Sequence, residues 1–388
     1  MKMTVIFVSN YFNHHQKPFS DSMYSILGDG YKFISTAEIG AERMALGWGT
    51  NDYPLYVISK KEFCCDLNKY QQIIDDADIV ITGSSPHFLM RSRVRQEKIV
   101  FQYSERLLKN GYAPWEFLPR LIKWRRKIKN SQSTFLLSSS AYAASDYAKF
   151  GLFKNKAFKW GYFPETRRHD DIGGLIEAKK PGSLLWAGRF LDWKHPEAPV
   201  EIARRLKNDG YSFTLDLIGS GVFEDKIKQM IVDYDLSDCV RMLGSMKPGE
   251  VRDHMEKSEM FLFTSDRHEG WGAVLNESMN SGCAVVASHA IGSVPFLVKD
   301  KENGFIYNDG NIDDLYEKVK YLLDNPPARR EMSKKAYLTV ADEWNAENAA
   351  KKFIELAENI LNGDSCPVSE DGICSKAEIL KDNWYTNE

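Results

Sequence analysis

The chain has 388 residues, 43% of them hydrophobic and 27% charged, with a formal net charge of -3 at pH 7. This composition is ordinary for a globular protein and excludes a disordered chain, and the length allows two or three domains. No stretch approaches the roughly 18 consecutive apolar residues that cross a bilayer. The apolar run from Val5 to Val8 is shorter than the ~7–15 residues of a signal-peptide core, so we expect a cytoplasmic protein.

Charge is distributed unevenly along the chain. Residues 1–170 hold 25 lysines and arginines against 16 acidic residues, a balance of +9, whereas residues 171–388 hold 26 against 38, a balance of -12. The asymmetry predicts separate domains with different partners. Because the whole chain is not basic and carries no nucleic-acid motif, we expect no nucleic-acid partner.

The first half of the chain alternates short apolar runs with helical stretches. In chain order, the predicted strands lie within 3–10, 76–85, 97–105 and 133–140, with a predicted helix at 68–77. Buried strands that alternate with helices favour a parallel sheet covered on both faces. The polar, glycine-containing stretch at 164–182 follows, and we interpret it as a hinge.

The second half repeats this alternation more regularly. Its predicted strands lie at 183–188, 213–221, 240–244, 259–265 and 283–288. Its predicted helices lie at 196–210, 250–258, 273–282, 312–325 and 345–363. The pattern predicts a second doubly wound domain, in which ligands bind on the loops that follow the strands. Residues 364–388 are mostly polar and predict a tail or a loosely docked arm.

The strongest functional signal is the stretch SDRHEGWGAVLNESMNSG at 265–282, where a strand ends, a loop follows and a helix begins. Gly270 and Gly272 allow backbone amides to approach a ligand, and a helix start favours an anion such as a diphosphate. Glu269 and Glu277 flank this position, where their carboxylates would accept hydrogen bonds from sugar hydroxyls. A lone glutamate pair usually belongs to a solvated helix, but the strands and glycines around this pair favour a site. The donor contacts expected from the loop and helix start are Gly270, Trp271, Gly272, Ala273 and Val274.

A second signal follows the predicted strand at 183–188. Arg189 and Lys194 lie five residues apart in the loop that leads to the helix at 196–210. Two fixed cations would offset the charge that grows on a leaving diphosphate, because arginine binds oxygens in a fork and lysine acts as a point charge. A basic surface loop is the alternative reading of these two residues alone.

Together the two motifs resemble glycosyltransferase family 4, a retaining group with the GT-B fold. The resemblance implies that Glu269 contacts the donor sugar, that Glu277 binds the ribose, and that Arg189 and Lys194 hold the diphosphate. It further implies that the glycine turn at Gly219 borders the nucleotide. The segment that reads the base would be Ser245 and Met246.

The resemblance also implies the architecture: an α/β chain with two Rossmann-like doubly wound domains separated by a cleft. We expect an acceptor-binding domain at 1–165 and a nucleotide-sugar-binding domain at 175–345. A helix at 346–362 would cross back to the first domain, and 363–388 would form a polar tail. The match is specific over most of 180–345 and only architectural over 1–165.

Acceptor contacts are less marked in the sequence. The loop after the first strand offers Asn13, His14, His15 and Gln16, although it lacks the glycine pair that relatives often carry there. These histidines have an equally simple reading as caps or core groups. After the strand at 97–105, Glu105 and Arg106 are expected to face the cleft. The histidine that many relatives have in this region is missing.

Residues 119–130 carry six basic residues interleaved with Leu121, Ile122, Trp124 and Ile128. Such a helix suits an anionic membrane surface and a lipid-linked acceptor, at the inner face of the plasma membrane. A helix packed on its own domain is the alternative.

No metal or other cofactor is expected. The acidic run at 75–78 precedes a strand and is therefore at the wrong end for a metal at the cleft, so the two cations and the helix start would serve the diphosphate instead. No pair among the six cysteines has zinc spacing. Cys366 and Cys374 would pair only in an oxidising compartment, so we expect free thiols.

The sequence therefore predicts a retaining hexosyltransferase that uses a nucleotide-diphosphate sugar, by default a UDP-sugar. The acceptor would be a glycan or a lipid-linked glycan in surface polysaccharide or cell-wall synthesis. Two alternatives remain, because fold does not fix function. One is an epimerase or sugar phosphorylase on the same scaffold, and the other is a non-catalytic sugar-binding protein.

Overall fold

The computed structural model describes residues 3–41, 44, 47–49, 52–128, 132–364 and 367–385. The chain divides into two compact units, which we call unit 1 and unit 2. Unit 1 comprises residues 1–165 and 345–381, and unit 2 comprises residues 166–344 and 382–388. The second unit therefore interrupts the first in sequence.

Unit 1 is built on a parallel sheet of seven strands in the order β3-β2-β1-β4-β5-β6-β7. The strands are β1 (Val5–Ser9), β2 (Tyr31–Ser35), β3 (Val57–Ile58), β4 (Ile79–Thr82), β5 (Val100–Ser104), β6 (Thr134–Ser138) and β7 (Ala157–Lys159). The helices before residue 165 are α1 (Lys17–Leu27), α2 (Lys60–Cys65), α3 (Leu67–Asp76), α4 (Arg91–Arg95), α5 (Phe117–Ile128) and α6 (Ala143–Ala148). Every residue of β1, β4 and β6 is buried, as expected for strands with helices on both faces.

Unit 2 has a parallel sheet of six strands in the order β10-β9-β8-β11-β12-β13. The strands are β8 (Lys180–Ala187), β9 (Thr214–Ile218), β10 (Val240–Gly244), β11 (Ser258–Phe263), β12 (Ala284–Ser288) and β13 (Phe305–Tyr307). Its helices are α7 (Ile172–Glu177), α8 (Glu197–Asn208), α9 (Glu224–Asp233), α10 (Pro248–Lys257), α11 (Val274–Asn280), α12 (Val294–Leu297), α13 (Ile312–Asp324) and α14 (Pro326–Leu338). The chain runs outward from β8 to β9 and β10, then returns to β11 on the other side of β8. The strand order therefore reverses between β8 and β11, where such sheets bind ligands.

The last helix, α15 (Ala346–Leu361), belongs to unit 1. Asn345 caps it by accepting a hydrogen bond from the backbone amide of Asn348. Its Phe353 is fully buried, with its ring centroid 5.0 Å from that of Phe101 and 5.8 Å from that of Trp160. The apolar face of α15 thus completes the core around the first sheet.

The polar tail predicted for 363–388 is only partly correct. Ile373 and Cys374 are buried, and the amide of Lys159 donates to the carbonyl of Ser375 at 2.7 Å. Lys376 forms an antiparallel bridge with Phe158 of β7. An edge strand has unpaired backbone groups, and this segment satisfies them. Further along, the Tyr385 hydroxyl donates to the carbonyl of Ile306 at 2.6 Å within unit 2.

The predicted strands are all present, but four strands were missed: β2, β3, β7 and β13. They are either short or interrupted by a charged residue, so they lack a continuous apolar run. The described cysteines Cys64, Cys65, Cys239, Cys283 and Cys374 are free thiols, and Cys366 lies outside the described residues. Within the described part of the chain, no helix is both long enough and apolar enough to cross a membrane.

Candidate active site

Two loops meet at the switch point of the unit 2 sheet. The loop after β8 contains a 3-10 turn, Asp192–Lys194, and the loop after β11 runs from Thr264. The amide of Asp266 donates to the carbonyl of Trp193 at 3.0 Å, and the Thr264 hydroxyl donates to the carbonyl of Lys194 at 2.8 Å. These bonds fix the two loops against each other.

Lys194 and Glu269 form an ion pair across these loops. Their side chains are only 14% and 12% exposed, respectively. The Ser265 hydroxyl also donates to the Glu269 carboxylate at 3.1 Å, and the Lys194 ammonium lies 4.5 Å from the centre of the Trp193 ring. The sequence motifs of 184–197 and 265–282 are thus joined in space, with a cation and a carboxylate in contact.

The start of α11 depends on Gly272. Its φ is +84°, and a Cβ there would lie 2.4 Å from Cζ of Phe263, so only glycine fits. Ala273 precedes the helix, which has seven residues and no side-chain cap. Gly270 lies in the same loop, one residue from the Glu269 carboxylate.

Trp271, predicted as a donor contact, has its side chain in the core. Its side chain is fully buried, packs near Phe296 and Trp344, and donates from Nε1 to Asn276 at 2.8 Å. The ring anchors the loop to the core, so only the backbone of Trp271 is left for a ligand. An indole buries a large apolar area, which explains its position.

Glu277 lies within α11, one turn from its start. Burial raises the pKa of its carboxyl to about 7, although the charges of Arg252 and then Arg167 act in the opposite direction. Both arginines are held near the end of this helix. The Arg252 guanidinium donates to Asn280 at 2.6 Å, and the amide of Arg167 donates to the same side chain at 2.7 Å. Neither arginine was among the predicted site residues, because neither belongs to a motif near Glu277 in sequence.

Arg189 and Gly219 lie on adjacent loops of the same sheet edge. Arg189 is exposed and makes no salt bridge with the described residues, so its guanidinium is available to a ligand. Gly219 has a φ of +135°, and a Cβ there would lie 1.9 Å from the carbonyl oxygen of Gly188. The amide of Phe190 donates to the carbonyl of Ser220 at 2.8 Å. The loop after β9 therefore supports the loop that carries Arg189.

The segment after β10 continues this edge. The Ser245 and Ser220 hydroxyls are 2.7 Å apart, and the amide of Gly219 donates to the carbonyl of Gly244 at 2.8 Å. Met246 is partly exposed beside them. These contacts bring the predicted base-reading segment next to the glycine turn.

The candidate acceptor residues of unit 1 cluster after β1. The side chain of Asn13 accepts from the amide of His15 at 2.8 Å, which makes it a turn-forming residue. Burial lowers the pKa of His14, and the carbonyl of Trp48 opposes this shift. Burial, followed by the neighbouring His14, lowers the pKa of His15 well below its ordinary value. His15 Nδ1 and the Gln16 side-chain oxygen are buried with no hydrogen-bond partner among the described residues.

Glu105 connects to this cluster through an aromatic ring. The Tyr162 hydroxyl donates to the Glu105 carboxylate at 2.6 Å, and the Tyr162 ring stacks on His15 at 5.8 Å between centroids. Contrary to the prediction, Arg106 does not face the same side as Glu105. It is buried, pairs with Asp146 at 3.4 Å and covers the Tyr142 ring. A buried cation needs such a partner, and the sequence did not reveal Asp146 as that partner.

The described residues contain no group of three or more His, Cys, Asp or Glu side chains that could hold a metal ion. The polar groups at the unit 2 edge instead suit an anion beside a polyhydroxylated ligand. Arg189 and Lys194 supply positive charge, and Glu269 and Glu277 supply hydrogen-bond acceptors.

The two parallel-sheet, Rossmann-like domains give the chain the GT-B fold, as predicted. A crystal structure of Anabaena HepE in complex with UDP aligns with 92% of this chain and 100% of its own, with a TM-score of 0.69 and 14% identity. At that identity, the likeness shows the fold.

Residues 168–339 match the family model for glycosyl transferases group 1. The chain is 27% identical over 194 residues to a trehalose synthase of Pyrococcus horikoshii, covering 48% of this chain and 45% of that protein. It is also 27% identical over 186 residues to the amylovoran biosynthesis glycosyltransferase AmsK of Erwinia amylovora, covering 47% and 46%. The matches thus span about half the length of these relatives. All the predicted donor residues fall inside the matched segment.

Proposed function

We propose that this chain is a retaining glycosyltransferase of family 4 that transfers a sugar from a nucleotide-diphosphate sugar to a glycan or lipid-linked acceptor. The observation that carries the proposal is the contact between Lys194 and Glu269 at the switch point of the unit 2 sheet. A donor bound there would meet a cation for its diphosphate and a carboxylate for its sugar in the same place. The group 1 family match over 168–339 supports the same class of reaction.

In the proposed reaction, the acceptor hydroxyl attacks the anomeric carbon on the face from which the diphosphate leaves. The bond from that carbon to the phosphate oxygen breaks, a bond to the acceptor oxygen forms, and the leaving phosphate oxygen takes the acceptor proton. The products are the glycoside and a nucleoside diphosphate. Arg189 and Lys194 would stabilise the growing phosphate charge, and Glu269 would orient the sugar.

Glu277 would bind the ribose hydroxyls, and the turn at Gly219 with Ser245 and Met246 would border the base. A UDP-sugar is the proposed donor, in keeping with the UDP in the crystal structure of HepE. A surface polysaccharide or cell-wall glycan is the proposed product class, as the name of the amylovoran relative suggests by analogy. The reaction would take place at the cytoplasmic side of the membrane. His15, Gln16 and Glu105 are the proposed acceptor contacts in unit 1.

The test begins with a thermal-shift panel of UDP- and GDP-sugars, because a bound ligand raises the melting temperature by mass action. The best donor is then used to measure nucleoside diphosphate release with wild type, Lys194→Ala and Glu277→Ala. Loss of a preorganised charge contact is expected to lower turnover by about a hundredfold or more. Lys334→Ala, which changes an exposed lysine on α14, is the matched control and should keep wild-type turnover.

Wild-type turnover by Lys194→Ala or Glu277→Ala would contradict the site assignment. A reaction that consumes inorganic phosphate with an oligosaccharide would show a phosphorylase instead. Isomerisation of the nucleotide sugar without transfer would show an epimerase. Analysis of the product's anomeric configuration tests retention directly.

A further inference from the structure

Unit 1 has an open pocket of about 680 Å³ on the surface formed by α4 and α5. Its polar lining is strongly basic: Arg91 and Arg95 come from α4, and Lys123 and Arg126 come from α5. Val94, Pro119 and Ile122 provide apolar surface between these cations, and His87 completes the lining. The residues proposed for the donor lie in unit 2, so the proposed transfer reaction does not account for this pocket.

Among the described residues, the four cations have no counter-ions. None of Arg91, Arg95, Lys123 and Arg126 makes a salt bridge or hydrogen bond with the described residues, and all four side chains are exposed. By contrast, Arg120 of the same helix pairs with Glu116 at 3.0 Å. Four unpaired cations around one concave surface create a positive potential that attracts a multiply charged anion.

Helix α5 has two apolar faces. Phe117, Leu121, Trp124 and Ile128 pack into unit 1. On the other side, Leu118 and Ile122 of the helix are 61% and 43% exposed, and Trp115, in the 3-10 turn Pro114–Glu116 directly before the helix, is 80% exposed. Their spacing of three and four residues favours one continuous stripe. Ile122 belongs both to this stripe and to the pocket lining. An exposed aromatic and two aliphatic side chains beside cations are typical of a surface that enters a lipid interface.

Helix α4, which supplies two of the cations, is held rigidly. The buried Arg93 donates to the backbone carbonyls of Ile74, Ala77 and Ile99 at 2.6 to 2.9 Å. Arg91 and Arg95 flank this anchor on the solvent side of the same short helix. The positions of their backbones are therefore fixed before any ligand arrives.

We propose that this pocket binds the phosphate of an anionic phospholipid, while Trp115 and Leu118 enter the interfacial region of the same membrane. The ligand chemistry is a phosphate monoester or diester attached to an acyl chain, which satisfies the cations and the apolar stripe together. Nucleic acid would satisfy the cations but not the three exposed apolar side chains in the stripe.

The test uses the purified full chain in a flotation assay with phosphatidylglycerol–phosphatidylcholine vesicles and with phosphatidylcholine vesicles. Arg91→Gln combined with Arg95→Gln is expected to weaken binding to the anionic vesicles about 25-fold, because each cation near such a surface contributes about fivefold. Arg330→Gln with Lys334→Gln, two exposed cations with the same spacing on α14, is the matched control and should bind like wild type. Trp115→Ser is expected to weaken binding at both low and high salt, because its contribution is apolar.

A thermal shift by UDP should be unchanged in all these variants, since the nucleotide is proposed to bind unit 2. This readout shows that the variants are folded and separates failure of the lipid proposal from failure of the transferase proposal. The proposal would be overturned if the α14 control variant weakened vesicle binding as much as the α4 variant does. It would also be overturned if the wild-type chain bound anionic and neutral vesicles equally. Complete displacement by millimolar inorganic phosphate with no effect of Trp115→Ser would also overturn it and show a soluble-anion site. Binding to an oligonucleotide as tightly as to the anionic vesicles would also contradict the lipid proposal.

Discussion

At the scale of single residues, the charged carboxylate of Glu277 lowers the stability of the folded chain. Its carboxyl has a pKa of about 7 in the folded chain because burial disfavours the charged form. In an unfolded chain the same group titrates near its ordinary value of 4.5. Above pH 7 the folded state must therefore hold a poorly solvated charge that the unfolded state exposes to water. Such a cost is typical of a residue kept for binding.

Glu277→Gln is expected to be more stable than wild type at pH 8 by about 3 kcal/mol, and equally stable at pH 4. The gain in stability at high pH follows from the raised pKa of Glu277 in the folded chain. Below the unfolded pKa both states are protonated, and the penalty grows until the pH passes the folded pKa of about 7. Urea unfolding at both pH values measures the difference.

Glu302→Gln, which changes an exposed glutamate of unit 2, is the control and should show no such pH-dependent gain. A stability difference between Glu277→Gln and wild type that does not change between pH 4 and pH 8 would contradict the assigned pKa.

Removal of divalent metals tests the role proposed for Arg189 and Lys194. If these two side chains neutralise the diphosphate, turnover in excess EDTA should equal turnover without it, and added Mg²⁺ or Mn²⁺ should have no effect. A loss of activity that Mn²⁺ restores would show that a metal carries the charge instead. The measurement is nucleoside diphosphate release under each condition.

At the scale of elements, the loop after β9 supports the loop after β8. Gly219→Ala would place a Cβ 1.9 Å from the Gly188 carbonyl oxygen and would force the backbone that carries Arg189 to move. We expect a loss of about 3 kcal/mol in the free energy of unfolding, together with weaker donor binding. Urea unfolding and UDP titration check these two effects.

Gly310→Ala is the matched control for this substitution. Gly310 also has a positive φ, +74°, but no atom lies within 4 Å of a Cβ built there. Only backbone strain of about 1 kcal/mol is expected, with unchanged UDP binding. If both variants lose the same stability, the contact with Gly188 is not what requires glycine at position 219.

The elements also show which structural features a single sequence predicts and which it does not. Continuous apolar runs such as that of β11 predicted the strands, and parallel order then implied that Lys194 and Glu269 share one edge. The exposed position expected for Arg106 was wrong, and the burial of the Trp271 side chain was not foreseen, because adjacency to a motif does not reveal side-chain direction. Arg106 meets Asp146, forty residues away, and Trp271 meets Trp344. Such distant packing partners leave no periodic signal in a single sequence.

At the scale of the whole molecule, α15 completes the core of a sheet whose last strand, β7, ends at Lys159, long before the helix begins at Ala346. Phe353→Ala is expected to lower the free energy of unfolding of unit 1 by about 4 kcal/mol, because the ring is fully buried against Phe101 and Trp160. Limited proteolysis in urea, with the cleavage sites assigned by mass spectrometry, measures the stability of this unit.

Leu361→Ala on the same helix is the control, since Leu361 is 45% exposed, and its loss should be under about 1 kcal/mol. Equal losses from the two substitutions would show that α15 contributes through helix propensity and not through its aromatic contact.

The interruption of unit 1 by unit 2 also affects how the protein is synthesised. A ribosome that has finished residue 165 must still make residues 166–344 of unit 2 before Phe353 emerges. At about 5–20 residues per second, this takes roughly 10–40 seconds. During that interval, the nascent first sheet exposes the aromatic surface around Phe101 to solvent. Premature termination before residue 353 would leave that surface uncovered permanently, which makes such fragments targets for chaperones and proteases.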